Sequence, residues 1–294
     1  MARLKDPIGK PTKIVGIEIT TTSDSIAILS KQYIELILRK EGMDGSDFVS
    51  TPLDPNVALV PNPEGENGSC SNSFARLLGE LQYIANATRP DITYAVNRLA
   101  SYTANPSLQH NIAVKRILRY LAGTQSHGIV YKAHPQQKNL YGYADAAYGN
   151  ADNRGSTMGY VFLVADGAIT WCSKKQIATA LSSTEAEYIA LSESAREACW
   201  LRSLYNELRL LPRELPTLVL GDNEGAIAMT KNLQFHKRSK HIEIHWHWVQ
   251  EQVQQGTINI GSCQDPEQTA DILTKALPCP KHKTHIEGMG LAPV

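Results

Sequence analysis

From residue 138 onward the chain reads strand, strand, strand, helix, strand, helix, helix, strand, helix, and no other feature constrains its fold as much. Apolar and alternating runs at 138–145, 157–165 and 168–172 predict three strands, with Asp166-Gly167 as a tight-turn signal between the last two. A long helix is expected from Thr184 to about Leu208, then a strand at 217–220 and a short helix over 224–231. A helix from about Ile242 to Gln254 and a strand at 257–260 follow. Asp265-Pro266-Glu267-Gln268 then opens a last helix, with Asp265 as its N-cap and Pro266 at its first position. Such an order implies an α/β domain, assigned to 136–294.

Residues 1–135 read differently. Ile14–Ile19 and Ile26–Leu29 flank a polar turn as a hairpin, and a helix with Tyr33, Ile34, Ile37 and Leu38 on one face ends near Gly42. Pro, Gly, Asn and Ser mark 44–72 as a loop or linker. Three helices are predicted over 74–87, 91–103 and 108–123. Lys115, Arg116 and Arg119 on the third suit a solvated face or phosphate contacts.

Composition narrows the class. Twenty-nine Lys plus Arg balance 29 Asp plus Glu, so no global positive field announces nucleic acid, and 42% hydrophobic residues support a sizeable core. No apolar run reaches the roughly 20 residues that span a bilayer, and no signal-peptide core opens the sequence. Five cysteines without a C-x-x-C pair fit reduced thiols. The expectation is an intracellular protein, cytoplasmic or nuclear, without a membrane partner.

Four acidic residues stand where chemistry is expected. Alternation places Asp145 on one strand face with Tyr141 and Tyr143, and Asp222 ends the apolar strand 218–220, where α/β sheets hold ligands. Asp222 also suits a helix-capping turn with Asn223 and Gly225. Glu185 and Glu187 point in nearly opposite directions on the long helix. Glu185 shares its stripe with Ser192, Arg196, Ser203 and Glu207, whereas Glu187 shares its own with Leu191, Ala198, Leu201 and Tyr205. A carboxylate directed at the interior needs a partner, either a divalent cation shared with other acids or an Arg or Lys. Asp271, among Ala270, Ile272 and Leu273, also fits ordinary acid enrichment near a helix start. Hard oxygen ligands of this kind suit a pair of Mg²⁺ ions, with Mn²⁺ as a substitute, and phosphodiester hydrolysis.

Residues 139–291 resemble the ribonuclease H domain of copia-type LTR-retrotransposon Pol polyproteins. The likeness lies in Tyr143-Ala144-Asp145-Ala146, Gly155–Tyr160, Trp171–Gln176, Ala180–Tyr188, Asp222-Asn223, Lys240-His241-Ile242 and Ala270–Lys275. Residues 14–135 resemble the end of the reverse transcriptase and its connection, through Leu81–Ile84, Thr88-Arg89-Pro90-Asp91-Ile92 and Arg116–Leu121. The resemblance implies a ribonuclease H-like five-stranded mixed sheet with flanking helices, preceded by a mainly helical reverse-transcriptase remnant. It implies cleavage of the RNA strand of RNA–DNA hybrids, with Asp145, Glu187, Asp222 and Asp271 as the catalytic, metal-binding acids. The Tyr-x-Asp-Asp turn of the polymerase palm does not occur, so no polymerisation is expected unless another chain supplies a palm. Gly221 precedes Asp222 where Cys is common, Ala276 follows Lys275 where Pro is usual, and no histidine lies between His247 and His282.

Lys174, Lys175, Lys237, Arg238, Lys240 and His241 are candidate contacts to the hybrid backbone, although charge runs in loops are often merely solvated. His241, His245 and His247 invite a zinc reading, which the lack of a nearby cysteine pair weakens. Two rivals to a nuclease remain: an inactive nucleic-acid-binding or assembly fragment of a decayed element, and a transposase-like strand-transfer enzyme.

Overall fold

A computed structural model describes residues 10–43, 45, 47–63, 71–135, 139–210, 215–231 and 240–294. The first apolar run is two strands rather than one. β1 (Lys13–Ile14) turns at Val15 and Gly16, both with positive φ, into β2 (Ile17–Thr21), which pairs with β3 (Ser25–Leu29). Tyr83 holds that turn by donating to the Val15 carbonyl at 2.6 Å. Four helices follow: α1 (Lys31–Lys40), α2 (Ser71–Ala87), α3 (Thr93–Ala100) and α4 (Leu108–Gly123). Their apolar rows, among them Ile34, Leu81, Ile84, Val96, Leu99, Val114 and Ile117, meet in one core. Arg116 and Arg119 hold the preceding loop instead of facing bulk solvent. Arg116 donates to the Thr51 carbonyl and hydroxyl at 3.2 and 3.0 Å, and Arg119 to the Asp47 carbonyl at 2.8 Å. A strand the sequence did not announce, β4 (His127–Lys132), pairs with β3.

The second sheet contains β5 (Tyr141–Ala151), β6 (Gly155–Val164) and β7 (Gly167–Lys175). After α5 (Ser183–Glu207) come β8 (Thr217–Gly221), α6 (Glu224–Lys231), α7 (Lys240–Gln254) and β9 (Ile258–Ser262). The order β7-β6-β5-β8-β9, antiparallel through β5 and parallel from β5 to β9, is the expected five-stranded mixed sheet. One face, with Ala144 and Phe162, packs on α5 through Tyr188, Leu191 and Ala198. The opposite face, with Tyr141, Tyr143, Val161 and Leu163, packs on Ile272, Leu273 and Met289.

Two local expectations change. The β6–β7 turn is centred on Ala165 and Asp166, both at positive φ, and not on Asp166-Gly167. Gly167 is needed for space, since a Cβ there would lie 2.6 Å from the Tyr131 ring. The segment opened by Asp265 is not a helix capped by that residue but two 3-10 turns, Asp265–Glu267 and Thr269–Leu273. Gln268 separates them because its buried side chain donates to the Ala144 carbonyl at 3.0 Å, a tertiary bond that outcompetes helix propagation.

The chain then returns to the first sheet. α8 (Cys279–Gly288) leads into β10 (Leu291–Pro293), which pairs with β4 although the two lie on opposite sides of the 135/136 division in sequence. The β6–β7 turn docks at the same place, with Lys132 N–H donating to Ala165 and Ala168 N–H to Met289. Trp171 Nε1 donates to Ala85 at 2.8 Å, and Arg98 grips Asp152 through two bonds of 2.9 and 3.0 Å. Among the described residues no helix is long and apolar enough to cross a membrane.

The Thr88–Ile92 motif is a buried network. Arg89, fully buried, makes a forked pair with Asp91 and also donates to the Thr124 carbonyl and hydroxyl, while Tyr120 donates to Asp91 at 2.6 Å. His282 of α8 meets the Tyr120 ring edge-on. Breaking a buried pair from one side leaves an uncompensated charge. Arg89→Met is therefore expected to lower unfolding free energy by about 3–5 kcal/mol, read as a shift in urea midpoint, and a shift under about 1 kcal/mol would contradict the network's role.

Candidate metal centre

Three of the four acids converge. Among the described residues, Asp145, Asp222 and Asp271 form a group of side chains that could hold a metal ion, each with a carboxylate oxygen within 4.8 Å of the others. Asp145 sits in mid-β5 opposite Gly159, Asp222 follows the last residue of β8, and Asp271 lies in the Thr269–Leu273 turn. The 3-10 turn reaches the sheet because β6 offers it a glycine: a Cβ on Gly159 would stand 2.6 Å from Leu273 Cβ. Asn150 Nδ2 donates to the Thr274 carbonyl at 2.8 Å, and the Thr274 hydroxyl donates to Asp145 Oδ2. Together with the Gln268 bond to Ala144, these contacts fasten the turn across β5.

Glu187 lies outside the 4.8 Å group but borders it. Its side chain is buried on α5, as its apolar stripe predicts, and it accepts a hydrogen bond from the Ala146 backbone N–H. Glu185, on the other stripe, accepts from the Leu181 N–H at 2.8 Å while Ser182 caps its own N–H. Ser192 departs from the expected polar stripe and is buried. Among the described residues no Arg pairs with Glu187, and the cation that acts on its carboxyl is Lys275.

Burial and mutual repulsion shape the charge state. Burial pushes the Asp145 carboxyl up to about 7; Lys275 opposes the rise and Asp271 adds to it. Burial pushes Glu187 up to about 9, reinforced by Asp145 and Asp222. Asp222, half-buried, is raised by desolvation and by Asp271. Lys275 was not singled out from sequence, though its position four residues after Asp271 was visible. Its Nζ lies 2.8 Å from Asp271 Oδ1 and 3.9 Å from Asp145 Oδ2. Burial would lower Lys275, but Asp145 and Asp271 outweigh it and raise the ammonium.

The donor set fits a hard divalent cation: oxygen ligands only, closely spaced, carrying more negative charge than one lysine offsets. The Cys263 thiol near Asp222 is pushed up to about 12 by burial and by that carboxylate.

The candidate phosphate contacts fare unequally. Lys174 is exposed but pairs with Glu193 at 2.9 Å, and Lys175, also exposed, donates to the Asp152 carbonyl at 2.8 Å. Lys237 and Arg238 lie outside the described residues. Lys240 and His241 begin α7, with only their backbone described.

No family model matches the chain. It is 36% identical over 296 residues to the retrovirus-related Pol polyprotein from transposon TNT 1-94 of Nicotiana tabacum, a match covering 98% of this chain and 22% of that protein. It is 38% identical over 265 residues to the corresponding polyprotein from transposon RE1 of Arabidopsis thaliana, covering 90% of this chain and 18% of the relative. The chain belongs to the copia-type retrotransposon Pol polyproteins. It spans about a fifth of the length of these Pol relatives. Among solved structures, LC11-RNase H1 from compost is similar at 14% identity and a TM-score of 0.37, covering 47% of this chain and 94% of that one. The foamy viral protease-reverse transcriptase solved with RNA/DNA hybrid is similar at 12% identity and a TM-score of 0.43, covering 86% and 29%.

Two outcomes test this site. Carboxyls raised in the folded Pol chain bind protons that the unfolded chain, near pH 4, has already released, so folding stability falls as pH rises through the folded values. In EDTA the melting temperature should fall between pH 7 and 9, and Glu187→Gln should flatten that slope. A slope unchanged by the substitution would remove Glu187 from the account. Gly159→Val should cost at least about 1–3 kcal/mol by overpacking against Leu273; a variant melting like wild type would show that the turn has room to move.

Proposed function

We propose that residues 136–294 form a ribonuclease H that hydrolyses the RNA strand of RNA–DNA hybrids with two Mg²⁺ ions, for which Mn²⁺ can substitute. Residues 1–135 are the accompanying reverse-transcriptase and connection remnant, which without a palm from another chain does not polymerise. The observation that carries this reading is the meeting of Asp145, Asp222 and Asp271 from three distant parts of the sequence within 4.8 Å.

Asp145, Asp222 and Asp271 would hold the ions, with Glu187 completing the set from α5. Bound there, divalent ions supply an activated water and stabilise charge on the leaving oxygen. The protein's own part is orientation. Thr274 fixes the Asp145 carboxylate, and the 3-10 turn sets Asp271 against it. Glu187 keeps a proton at neutral pH in a metal-free site, which relieves part of the crowding. Asp222 is the most exposed of the four, so substrate approaches from its side. Lys174, Lys175, Lys237, Arg238, Lys240 and His241 would contact backbone phosphates, and recognition of the RNA strand would depend on its 2′-hydroxyls and groove shape.

Labelled hybrid incubated with Mg²⁺ should be cut by the wild-type chain and not in EDTA, with activity falling as salt rises. Asp222→Asn should reduce cutting by about 100-fold or more, the scale on which single electrostatic groups count. Cutting that survives this substitution would remove the metal assignment. Binding without cutting at every Mg²⁺ or Mn²⁺ concentration would favour a catalytically inactive binding fragment, and activity on duplex DNA ends would favour strand transfer.

A further inference from the structure

Lys275 leaves the 3-10 turn with its backbone N–H donating to the Asp271 carbonyl at 3.2 Å, which fixes the root of its side chain beside the acids. Its ammonium then folds back to 2.8 Å from Asp271 Oδ1 and 3.9 Å from Asp145 Oδ2. The two carboxylates are 2% exposed, whereas the lysine side chain is 41% exposed. One partner of this ion pair is locked in the protein, and the other has an open route to water. The 2.8 Å contact lacks aligned hydrogen-bond geometry, so Asp271 Oδ1 has a charge beside it but no directed donor.

The geometry points to Lys275 as a built-in counter-cation, whose ammonium neutralises Asp271 and Asp145 in the metal-free protein and gives up Asp271 Oδ1 when a divalent cation binds. The inference rests on the metal-site reading above. A magnesium ion bonds carboxylate oxygen at about 2.0–2.1 Å and demands a near-ideal shell. An ammonium held at the same oxygen is a like charge at close range in a partly dry site, where repulsion is weakly screened. Lysine suits such an exchange because its charge is compact, strongly hydrated and carried on a flexible stem. Arginine would fork onto a carboxylate through two bonds and be harder to dislodge. The lysine thus keeps the acids together before metal arrives and makes metal entry a replacement of one cation by another.

The test uses the full chain, with MgCl₂ as the probe, titrated calorimetrically and by thermal melting against EDTA. Lys275→Met should melt lower than wild type in EDTA and bind Mg²⁺ about tenfold more tightly, as expected when a competing ligand is removed. Lys275→Arg should bind it more weakly than wild type. Equal or weaker Mg²⁺ binding by Lys275→Met overturns the inference. A measurement on wild type alone guards against a variant that fails to fold. Acetic anhydride labelling of Lys275, read by mass spectrometry relative to Lys281, should rise several-fold on saturation with Mg²⁺, and unchanged labelling overturns the inference. If wild type shows neither heat nor a melting shift with Mg²⁺ or Mn²⁺, the metal reading itself falls and takes this inference with it. If it binds metal while neither variant nor labelling responds, only the role of Lys275 falls.

Discussion

Carboxylates packed within 4.8 Å of one another repel, and everything around the centre of this protein is arranged to hold them there. At an effective dielectric near 20, two full charges about 4 Å apart cost roughly 4 kcal/mol. No single contact offsets several such pairs. The restraint is distributed: Thr274 on Asp145, Gln268 on the β5 backbone, Asn150 on the turn, and a lysine between two of the acids. Gly159 contributes by having no side chain. A cluster of this kind lowers the stability of the fold, and carboxyls perturbed in this way concentrate at functional centres.

The turn bearing Asp271 is held from both units of the chain. Leu273 and Ile272 pack under the second sheet, while Ala276 rests on the core of the helical unit. Just beyond, α8 sets His282 against Tyr120, beside the buried Arg89–Asp91 pair, and β10 closes the first sheet. The helical unit therefore supports the last acid directly. A fully buried ion pair is seldom a gain in stability over an apolar core of the same shape, but once present its removal is costly. Here it sits where three segments meet, 89–91, 120–124 and 282, so its geometry governs how α8 approaches.

Much of this arrangement was legible residue by residue. Alternation placed Asp145 with Tyr141 and Tyr143, and those three share the face opposite α5. Helical spacing separated Glu187 from Glu185, and one is buried while the other turns back to cap its helix. What escaped has a common cause. β4 and β10 are short strands whose pairing partners lie far away in sequence, so neither carries a local pattern strong enough to stand alone. Gly167 looked like a turn residue but answers to the Tyr131 ring, and Asp265 looked like a cap but yields to the inward pull of Gln268.

Periodicity and chemical type, which are properties of neighbouring residues, sufficed to place most of the elements, the apolar stripe of the long helix and the one acid that had no business there. The distances between the clustered acids, the lysine lodged among them and the stitching of the last strand into the first sheet depend on residues that lie far apart in the sequence. Only the closed chain decides such contacts, because electrostatic repulsion and steric clearance act through space and leave no local trace in the order of residues.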